Sequence, residues 1–213
     1  WKEPIPPLPD KPLLVFVSHR HEDHFNPEVF TLAERKADIQ FLLGSDFHLL
    51  SRNLEKWRLT PETAAKCRRC GKHDVFQPLP AVTAETFPST DEGVASMVTV
   101  EDKTIFHAGD LNWWHWAEEG DAWNRNMEAN FKRYTEPLRG RRADLAMLPL
   151  DPRLESGGDL GPDYFLGLMD VRRFFPMHQW DHFEFTDEFL KRYPQFAPIT
   201  VKIHHNLETF QLD

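Results

Sequence analysis

A cluster of metal-ligand side chains directly after a short apolar run is the feature that most constrains this fold. Residues 13–18 read LLVFVS, which predicts a buried strand. His19, His21, Asp23 and His24 then fall within six positions. On an extended turn His19 and His21 project to the same side and reach one ion, while Asp23 and His24 turn toward a second. The sequence therefore predicts a metal site at the end of a strand.

The chemistry of these side chains limits the metal. Imidazole and carboxylate ligands suit zinc, with manganese or iron as alternatives. A polar loop with helix-capping acids is the competing interpretation, but Asn26, followed by Pro27 and Glu28, already supplies a helix start. We predict a helix to about Arg35 and a strand over 38–43. This strand–loop–helix–strand order favours an α/β layer with its site at the carboxyl ends of strands.

The rest of the chain is consistent with a single α/β domain over residues 1–213. We expect a Pro-rich leader at 1–12 and a variable insertion at 46–80, and we find no internal repeat or linker. Residues 173–177 lead into His178. The pattern favours strands over 81–86, 94–100, 104–108, 144–148 and 199–204, and helices starting at Thr60 and over 121–136, 163–171 and 186–192.

Composition excludes several classes of function. The formal net charge of -9 disfavours a nucleic-acid partner, although bound metal ions would still permit a small anionic substrate. No apolar run approaches the ~18 residues that a membrane span needs. Cys67 and Cys70 are the two cysteines, which is not a secreted disulfide framework, so a cytoplasmic protein is expected. We therefore expect a small-molecule substrate, no nucleic acid and no membrane.

The six residues from His19 to His24 resemble the H-x-H-x-D-H signature of the metallo-β-lactamase superfamily. Two later motifs follow in that superfamily's order: FHAGD at 106–110 resembles its strand-end Gly-Asp, and FPMH at 175–178 its late strand-end histidine. The stretches STDEGVAS, FHAGDLNWWHW and PMHQWDHF are similar to members near the ascorbate-6-phosphate lactonase-like branch. The resemblance covers residues 13–205 and implies an αββα sandwich.

Carried over to this chain, the resemblance implies a zinc site of up to two ions and a metal-dependent hydrolase acting on a small ester, lactone or phosphorylated substrate. Two metals polarise a carbonyl or phosphoryl oxygen and lower the pKa of a bridging water, and Asp23 orients that water or accepts its proton. The implied ligands are His19 and His21 for the first metal, Asp23, His24 and His178 for the second, and Asp110 as the bridge.

The sequence departs from the family pattern in two places. The superfamily usually supplies a third histidine to the first metal, but residues 87–93 contain none; Asp91 is the candidate replacement, and otherwise the first site is weak or empty. His48, His73, His107 and His115 are the other candidates for this ligand, but each is expected to be a structural or surface residue. The superfamily also has strands before the first motif, so we expect upstream strands, or a second chain or homo-oligomer that supplies them.

The remaining motifs leave alternatives open. Cys67 and Cys70, with His73, form either a small zinc knuckle or an exposed turn. Trp113, Trp114, His115 and Trp116 follow the Gly-Asp, and they form an aromatic wall of the substrate pocket, an oligomer contact or part of the core. Trp113, His115 and His205 are the pocket candidates named from these positions, with packing at a strand end as the alternative for His205. A non-catalytic metal-binding protein and an iron-based redox enzyme on the same fold remain the alternative functions.

Overall fold

Strands and helices alternate through the part of the chain that the computed structural model describes, residues 7–8 and 10–211. Most of the predicted leader at 1–12 lies outside those residues. Three parallel strands form the first sheet in the order β1-β2-β3, with Val17 of β1 opposite Leu43 of β2. These strands are β1 (Leu13–Val17), β2 (Ile39–Leu43) and β3 (Cys67–Arg69).

The crossover from β1 to β2 begins where the sequence predicts. The side chain of Asn26 accepts a hydrogen bond of 2.9 Å from the Glu28 amide, which satisfies a donor that the first helical turn leaves free. A 3-10 helix (Pro27–Thr31) then continues into helix α1 (Leu32–Arg35). The predicted strand, helix and second strand are thus confirmed.

The second sheet has six strands in the order β11-β9-β7-β6-β5-β4. Its β4–β7 part is antiparallel, and β7, β9 and β11 pair in parallel, while β8 and β10 form a separate two-stranded ladder. The strands are β4 (Val75–Leu79), β5 (Val82–Pro88), β6 (Val94–Val100), β7 (Lys103–His107), β8 (Arg142–Ala143), β9 (Leu145–Pro149), β10 (Asp170–Val171) and β11 (Phe174–Met177).

The core divides into layers because each sheet is apolar on both faces. On the six-stranded sheet, Phe106 and Leu148 pack with helical Phe131, Phe165 and Phe189 in one cluster. Another cluster joins Phe41 of β2 to Phe30 and Phe47, and a small third one lies between the sheets. The layers are therefore α, β, β and α.

The remaining helices are α2 (Ser51–Lys56), α3 (Pro61–Ala65), α4 (Asp121–Thr135), α5 (Leu160–Leu168) and α6 (Phe185–Arg192). In the described ranges, no helix has the length and apolar character needed to cross a bilayer.

Some predicted elements were wrong in type or extent. Cys67–Arg69 is a strand rather than a turn, because its backbone pairs with β2. Residues 199–204 form one bridge, Phe174 to Thr200, instead of a strand, because Ile199 and Thr200 hydrogen bond back to Phe196 in a turn. Helix α5 begins at Leu160, since Pro162 in its first turn needs no amide partner.

Candidate metal centre

The candidate metal centre lies where three strands end at the same edge of the fold. β1 continues into the loop with His19, His21 and His24, β7 continues through Gly109 into Asp110, and β11 ends directly before His178. Side chains that are far apart in the sequence therefore meet, as parallel topology predicts for the carboxyl ends of strands.

The carboxylate of Asp110 is the centre of the cluster. Its Oδ2 lies 3.3 Å from Nε2 of His19, and its Oδ1 lies 3.0 Å from Nε2 of His24 and 3.1 Å from Nε2 of His178. Nε2 of His24 and Nε2 of His178 are themselves 2.9 Å apart. The expected convergence of the late histidine on the first motif is thus present in the structure.

The buried polar atoms of this cluster lack ordinary partners. Nε2 of His19 and Oδ1 of Asp110 are buried, and neither makes a hydrogen bond of good geometry within the described ranges. These atoms lie at ion-pair distances from the neighbouring ligand atoms, but without the geometry of a hydrogen bond. Because buried polar atoms normally find a partner, and because imidazole and carboxylate are metal ligands, the donor set fits bound metal ions.

The ligand atoms form overlapping sets of three, each with all its atoms within 4.8 Å of one another. Asp110 belongs to two of the sets, which matches the bridging role that the resemblance implies. Asp23 completes a set with the first-loop histidines and its Oδ2 lies 3.4 Å from Nε2 of His24. The sets are His19, His21 and Asp110; His24, Asp110 and His178; and His19, Asp23 and His24.

Asp91, the candidate replacement for the third histidine, lies at the rim of the cluster. Its Oδ2 is 3.7 Å from Nδ1 of His21, and it joins none of the ligand sets found among the described residues. Burial and the nearby charge of Asp110 raise the pKa of the Asp91 carboxyl. A role for Asp91 as an additional ligand stays a prediction.

Neighbouring side chains orient the first loop. The Ser18 hydroxyl lies 3.0 Å from Nδ1 of His19, which leaves Nε2 to face Asp110. The buried carboxylate of Asp46 accepts hydrogen bonds from the Arg20 amide (2.9 Å) and from Arg20 Nε (3.1 Å). Asp46 follows β2 and was not among the predicted site residues.

A glycine lets the loop before β6 approach this turn closely. A Cβ on Gly93 would lie 2.0 Å from the carbonyl oxygen of Ser18, and Gly93 has a φ of +72°. Only glycine tolerates both the contact and the left-handed backbone without strain. This residue therefore sets how closely β6 and the first metal-ligand loop can pack.

Asp151 is the main site residue that the sequence analysis missed. It is fully buried, and its Oδ2 lies 3.4 Å from Nδ1 of His178 and also contacts Arg153. Burial alone would raise the pKa of Asp151, but the interactions with His178 and Arg153 outweigh it and lower that pKa to about 2. Asp151 follows strand β9, so a search for carboxylates just beyond every strand would have found it.

Charges in the cluster shift the acid–base behaviour of the histidine on β11. Burial would lower the pKa of His178, but the carboxylates of Asp110 and Asp151 outweigh it and raise that pKa to about 9. Burial would likewise raise the pKa of Asp110, but the close contacts with the surrounding histidines, with His178 the largest contributor, hold it well below its usual range. Without metal, the pair is therefore an imidazolium beside a carboxylate.

The loop after β11 is strained. His178, Trp180 and Asp181 have φ values of 60°, 51° and 66°, which non-glycine residues seldom adopt. The Gln179 side chain donates a 2.6 Å hydrogen bond to the Thr186 hydroxyl, which ties the loop to helix α6. Such strain persists where the surrounding structure fixes a functional side chain.

A cavity of about 670 Å³ opens over the cluster. His21, Asp23, Asp110 and His178 lie on its floor or rim, and tryptophans form much of its wall. Its wall tryptophans are Trp114, Trp116, Trp123 and Trp180.

The three predicted pocket residues lie elsewhere. Trp113 packs against Phe131 and Tyr164 in the core, because its side chain points to the other side of the chain from Trp114. His115 is half-buried against Gly157, and His205 is an exposed residue whose Nδ1 lies 2.9 Å from the Asn206 carbonyl. None of the three lines the cavity. Of the four candidates that follow the Gly-Asp, Trp114 and Trp116 line the cavity, whereas Trp113 and His115 do not.

The two cysteines do not form a zinc knuckle. The Cys67 thiol donates to the Thr63 carbonyl, and no ligand set among the described residues includes Cys67, Cys70 or His73. Burial raises the pKa of both thiols to about 11, which disfavours the thiolate that a metal needs.

Comparison with known proteins rests on structure alone, because no family model and no curated protein matches the sequence. The fold is similar to CmlA, a diiron β-hydroxylase from Streptomyces venezuelae, with a TM-score of 0.60, 8% identity and 92% of this chain covered. A mutant of the same enzyme gives a TM-score of 0.59 and 7% identity, also over 92% of this chain. This chain spans 44% of the length of either CmlA chain.

The metallo-β-lactamase fold protein YhfI from Bacillus subtilis is similar with a TM-score of 0.50 and 13% identity, over 84% of this chain and 70% of that one. At such identities the likeness concerns the fold and carries no substrate or activity. It agrees with the layered sheets and with the ligand cluster at the strand ends. The predicted fold class is confirmed: this chain has the metallo-β-lactamase fold.

Proposed function

We propose that this protein is a metal-dependent hydrolase that acts on a small ester, lactone or phosphorylated substrate. The observation that carries the proposal is the convergence of His19, His24, Asp110 and His178, because Asp110 and His178 of this cluster line an open cavity. A purely structural metal site is closed by its protein ligands, whereas a catalytic site keeps a position open toward substrate. The cavity therefore supports catalysis over a non-catalytic metal-binding role.

The residues around the cavity would have two roles, binding metal ions and accepting a proton from water. When bound, zinc or a similar divalent ion supplies Lewis-acid polarisation of a carbonyl or phosphoryl oxygen and a lowered pKa for water. His19 and His21 with Asp110 would hold one ion, and His24 and His178 with Asp110 the other. Asp23 has 36% of its side chain exposed and lines the cavity, so its free carboxylate oxygen is the proposed acceptor of the water proton.

The first test is the metal content and activity of the purified protein. We expect up to two zinc ions per chain by elemental analysis, and hydrolysis of at least one class in a panel of esters, lactones and phosphodiesters. Chelation should abolish that activity, and added zinc or manganese should restore it. Asp110→Asn should lose both metal and activity, because one side chain serves both ligand sets.

A matched control uses a histidine outside the cluster. His204 is 69% exposed and lies 3.2 Å from Glu208, so His204→Ala should keep its metal and activity. Loss of activity in both variants, or hydrolysis that survives complete chelation, would contradict the proposal.

An iron-based redox enzyme is the second candidate function. It is supported by the similarity of the fold to CmlA, which is a diiron β-hydroxylase. Stoichiometric iron with oxygen consumption and no hydrolysis would favour it over the hydrolase.

A further inference from the structure

An arginine side chain faces the cavity above the candidate metal centre. Among the described residues that line this cavity, Arg153 is the one lysine or arginine. Carboxylates from Glu22, Asp23, Asp91 and Asp110 line the same cavity. The guanidinium of Arg153 therefore lies among acidic side chains. Any ligand proposed for it must be compatible with their negative charge.

The guanidinium of Arg153 is held in one orientation. Its Nε lies 3.0 Å from Oδ1 and 3.1 Å from Oδ2 of the buried Asp151, and its Nη2 donates to Oδ2. The indole of Trp180 covers it at 4.2 Å, and Trp116 lies 5.7 Å away. Binding a ligand to Arg153 would therefore cost little side-chain entropy, because the side chain is already held in place.

Three of the five N–H donors of the guanidinium have no protein partner among the described residues, namely one on Nη2 and both on Nη1. Asp151 takes donors on Nε and Nη2, whereas Nη1 of Arg153 makes no hydrogen bond within the ranges that the structure describes. The side chain is 43% exposed although its partner is fully buried. Neutralising Asp151 accounts for the bonded edge of the guanidinium, but it leaves the Nη1 edge unbonded on a side chain that lines the cavity.

We propose that Arg153 binds a carboxylate on the substrate, through the Nη1 edge of its guanidinium. The planar fork of donors matches a carboxylate, and Glu22 and Asp91, which line the cavity outside the metal-ligand sets, favour a single negative charge over a doubly charged phosphate. Trp123, which is 37% exposed, and Met127 supply an apolar wall for the rest of that molecule. This inference deepens the proposed function and rests on it, since it names the substrate class of the same cavity.

The test compares two esters that differ only in charge. They are 4-nitrophenyl hydrogen adipate and its amide-terminated analogue, assayed with the zinc-loaded protein. We expect Arg153→Gln to lower the ratio of the two kcat/KM values by roughly 10- to 100-fold, the usual effect of a hydrogen bond between charged groups. Arg153→Lys should keep part of the preference, because it retains the charge without the fork.

The ratio separates substrate recognition from damage to the site. If Arg153 only supports Asp151 and His178, both esters lose activity equally and the ratio stays constant, which would overturn the inference. Arg125→Gln is the control for net charge: Arg125 lies on α4 with 70% of its side chain exposed and pairs with Asp121. That variant should leave the ratio unchanged.

A binding measurement distinguishes failure of this inference from failure of the proposed function. Adipic acid monoanilide carries the same carboxylate but an anilide in place of the activated ester, and its binding to zinc-loaded protein can be followed by calorimetry. We expect at least tenfold weaker binding in Arg153→Gln, with no change for the amide-terminated anilide. If no ester is hydrolysed but this difference appears, the hydrolase proposal fails and carboxylate recognition stands. Equal binding in wild type and Arg153→Gln would overturn the recognition itself.

Discussion

Asp110 links the two halves of the candidate metal centre at the scale of single residues. It shares one ligand set with His19 and His21 and another with His24 and His178. The second set also has Asp23 within 3.4 Å of His24, whereas Asp91 beside the first set faces His21 at 3.7 Å instead of joining the ligands. The second position therefore has the more complete set of ligands.

We predict that His24→Ala loses more metal than His19→Ala. The reason is that the second position, with four candidate ligands, should hold its ion more tightly than the first. Equilibrium dialysis at limiting zinc, followed by elemental analysis, gives the metal retained per chain. Equal losses in the two variants, or a greater loss in His19→Ala, would contradict this ranking.

Asp151 acts through His178, since it contacts the histidine and lies outside the ligand sets. Carboxylates in this position orient a ligand imidazole and raise its basicity, so we predict that Asp151→Asn weakens zinc binding by roughly 10- to 100-fold. Competition with a chromogenic chelator measures the affinity. Asp187→Asn is the control, because Asp187 is an exposed partner of Lys202. Unchanged affinity in Asp151→Asn would rule out a positioning role.

The raised pKa of His178, about 9, predicts a pH dependence of metal binding. Metal needs the neutral imidazole, so the proton on His178 competes with metal below pH 9. Zinc affinity should therefore rise by up to tenfold per pH unit from about pH 7 and level off above about pH 9. Chelator competition at several pH values tests this, and His178→Ala should flatten the profile. A flat wild-type profile across that range would show that the proton is absent.

The sequence reveals site residues when their signal is local. His19 to His24 form one short motif, and Gly-Asp and Met-His at strand ends are readable in chain order. Asp151 and Arg153 carry no such motif, because their roles depend on contacts with a loop from another strand. For the same reason sequence alone did not separate Trp114, which faces the cavity, from Trp113, which faces the core.

Elements were predictable where their own pattern decides their structure. β1, β2 and α4 each have a clear apolar run or a helical pattern, and each lies within a residue or so of its predicted bounds. β3 has only three residues and a polar surface, so its pairing with β2 determines its conformation. Helix α2 has no side-chain cap and no buried residue among Ser51–Lys56, which left no signal to predict it.

Gly93 offers a test of how elements are placed around the site. We predict that Gly93→Ala lowers the free energy of unfolding by at least about 2 kcal/mol, because the new Cβ meets the Ser18 carbonyl and the backbone is left-handed. Gly167→Ala is the matched control: it lies in α5 with no atom within 4 Å of a new Cβ. That change should be neutral or stabilising by about 0.5–1 kcal/mol. Equal urea midpoints for the two variants would contradict the close approach.

At the scale of the whole molecule, the two faces of the six-stranded sheet are covered unequally. Met97 on β6 and Phe106 on β7 point toward the helices and are buried. Their neighbours Val98 and Ile105 point toward the first sheet and are only partly buried, where they line a cleft of about 290 Å³. In a layered α/β fold the faces between sheets are ordinarily well covered. The described residues thus leave apolar surface accessible between the layers.

We therefore predict that the folded protein binds an uncharged hydrophobic dye such as Nile red in this cleft. Accessible apolar surface of this kind favours such contacts. Val98→Lys should lower dye fluorescence with little loss of stability, because Val98 is already partly exposed and a lysine stem can lie along apolar surface with its charge in water. Val75→Lys is the matched control: it makes the same change on β4 at a side chain that is 69% exposed and outside the cleft. It should leave the fluorescence unchanged. Circular dichroism verifies that both variants are folded. Equal fluorescence for wild type and Val98→Lys would show that this cleft is closed in solution.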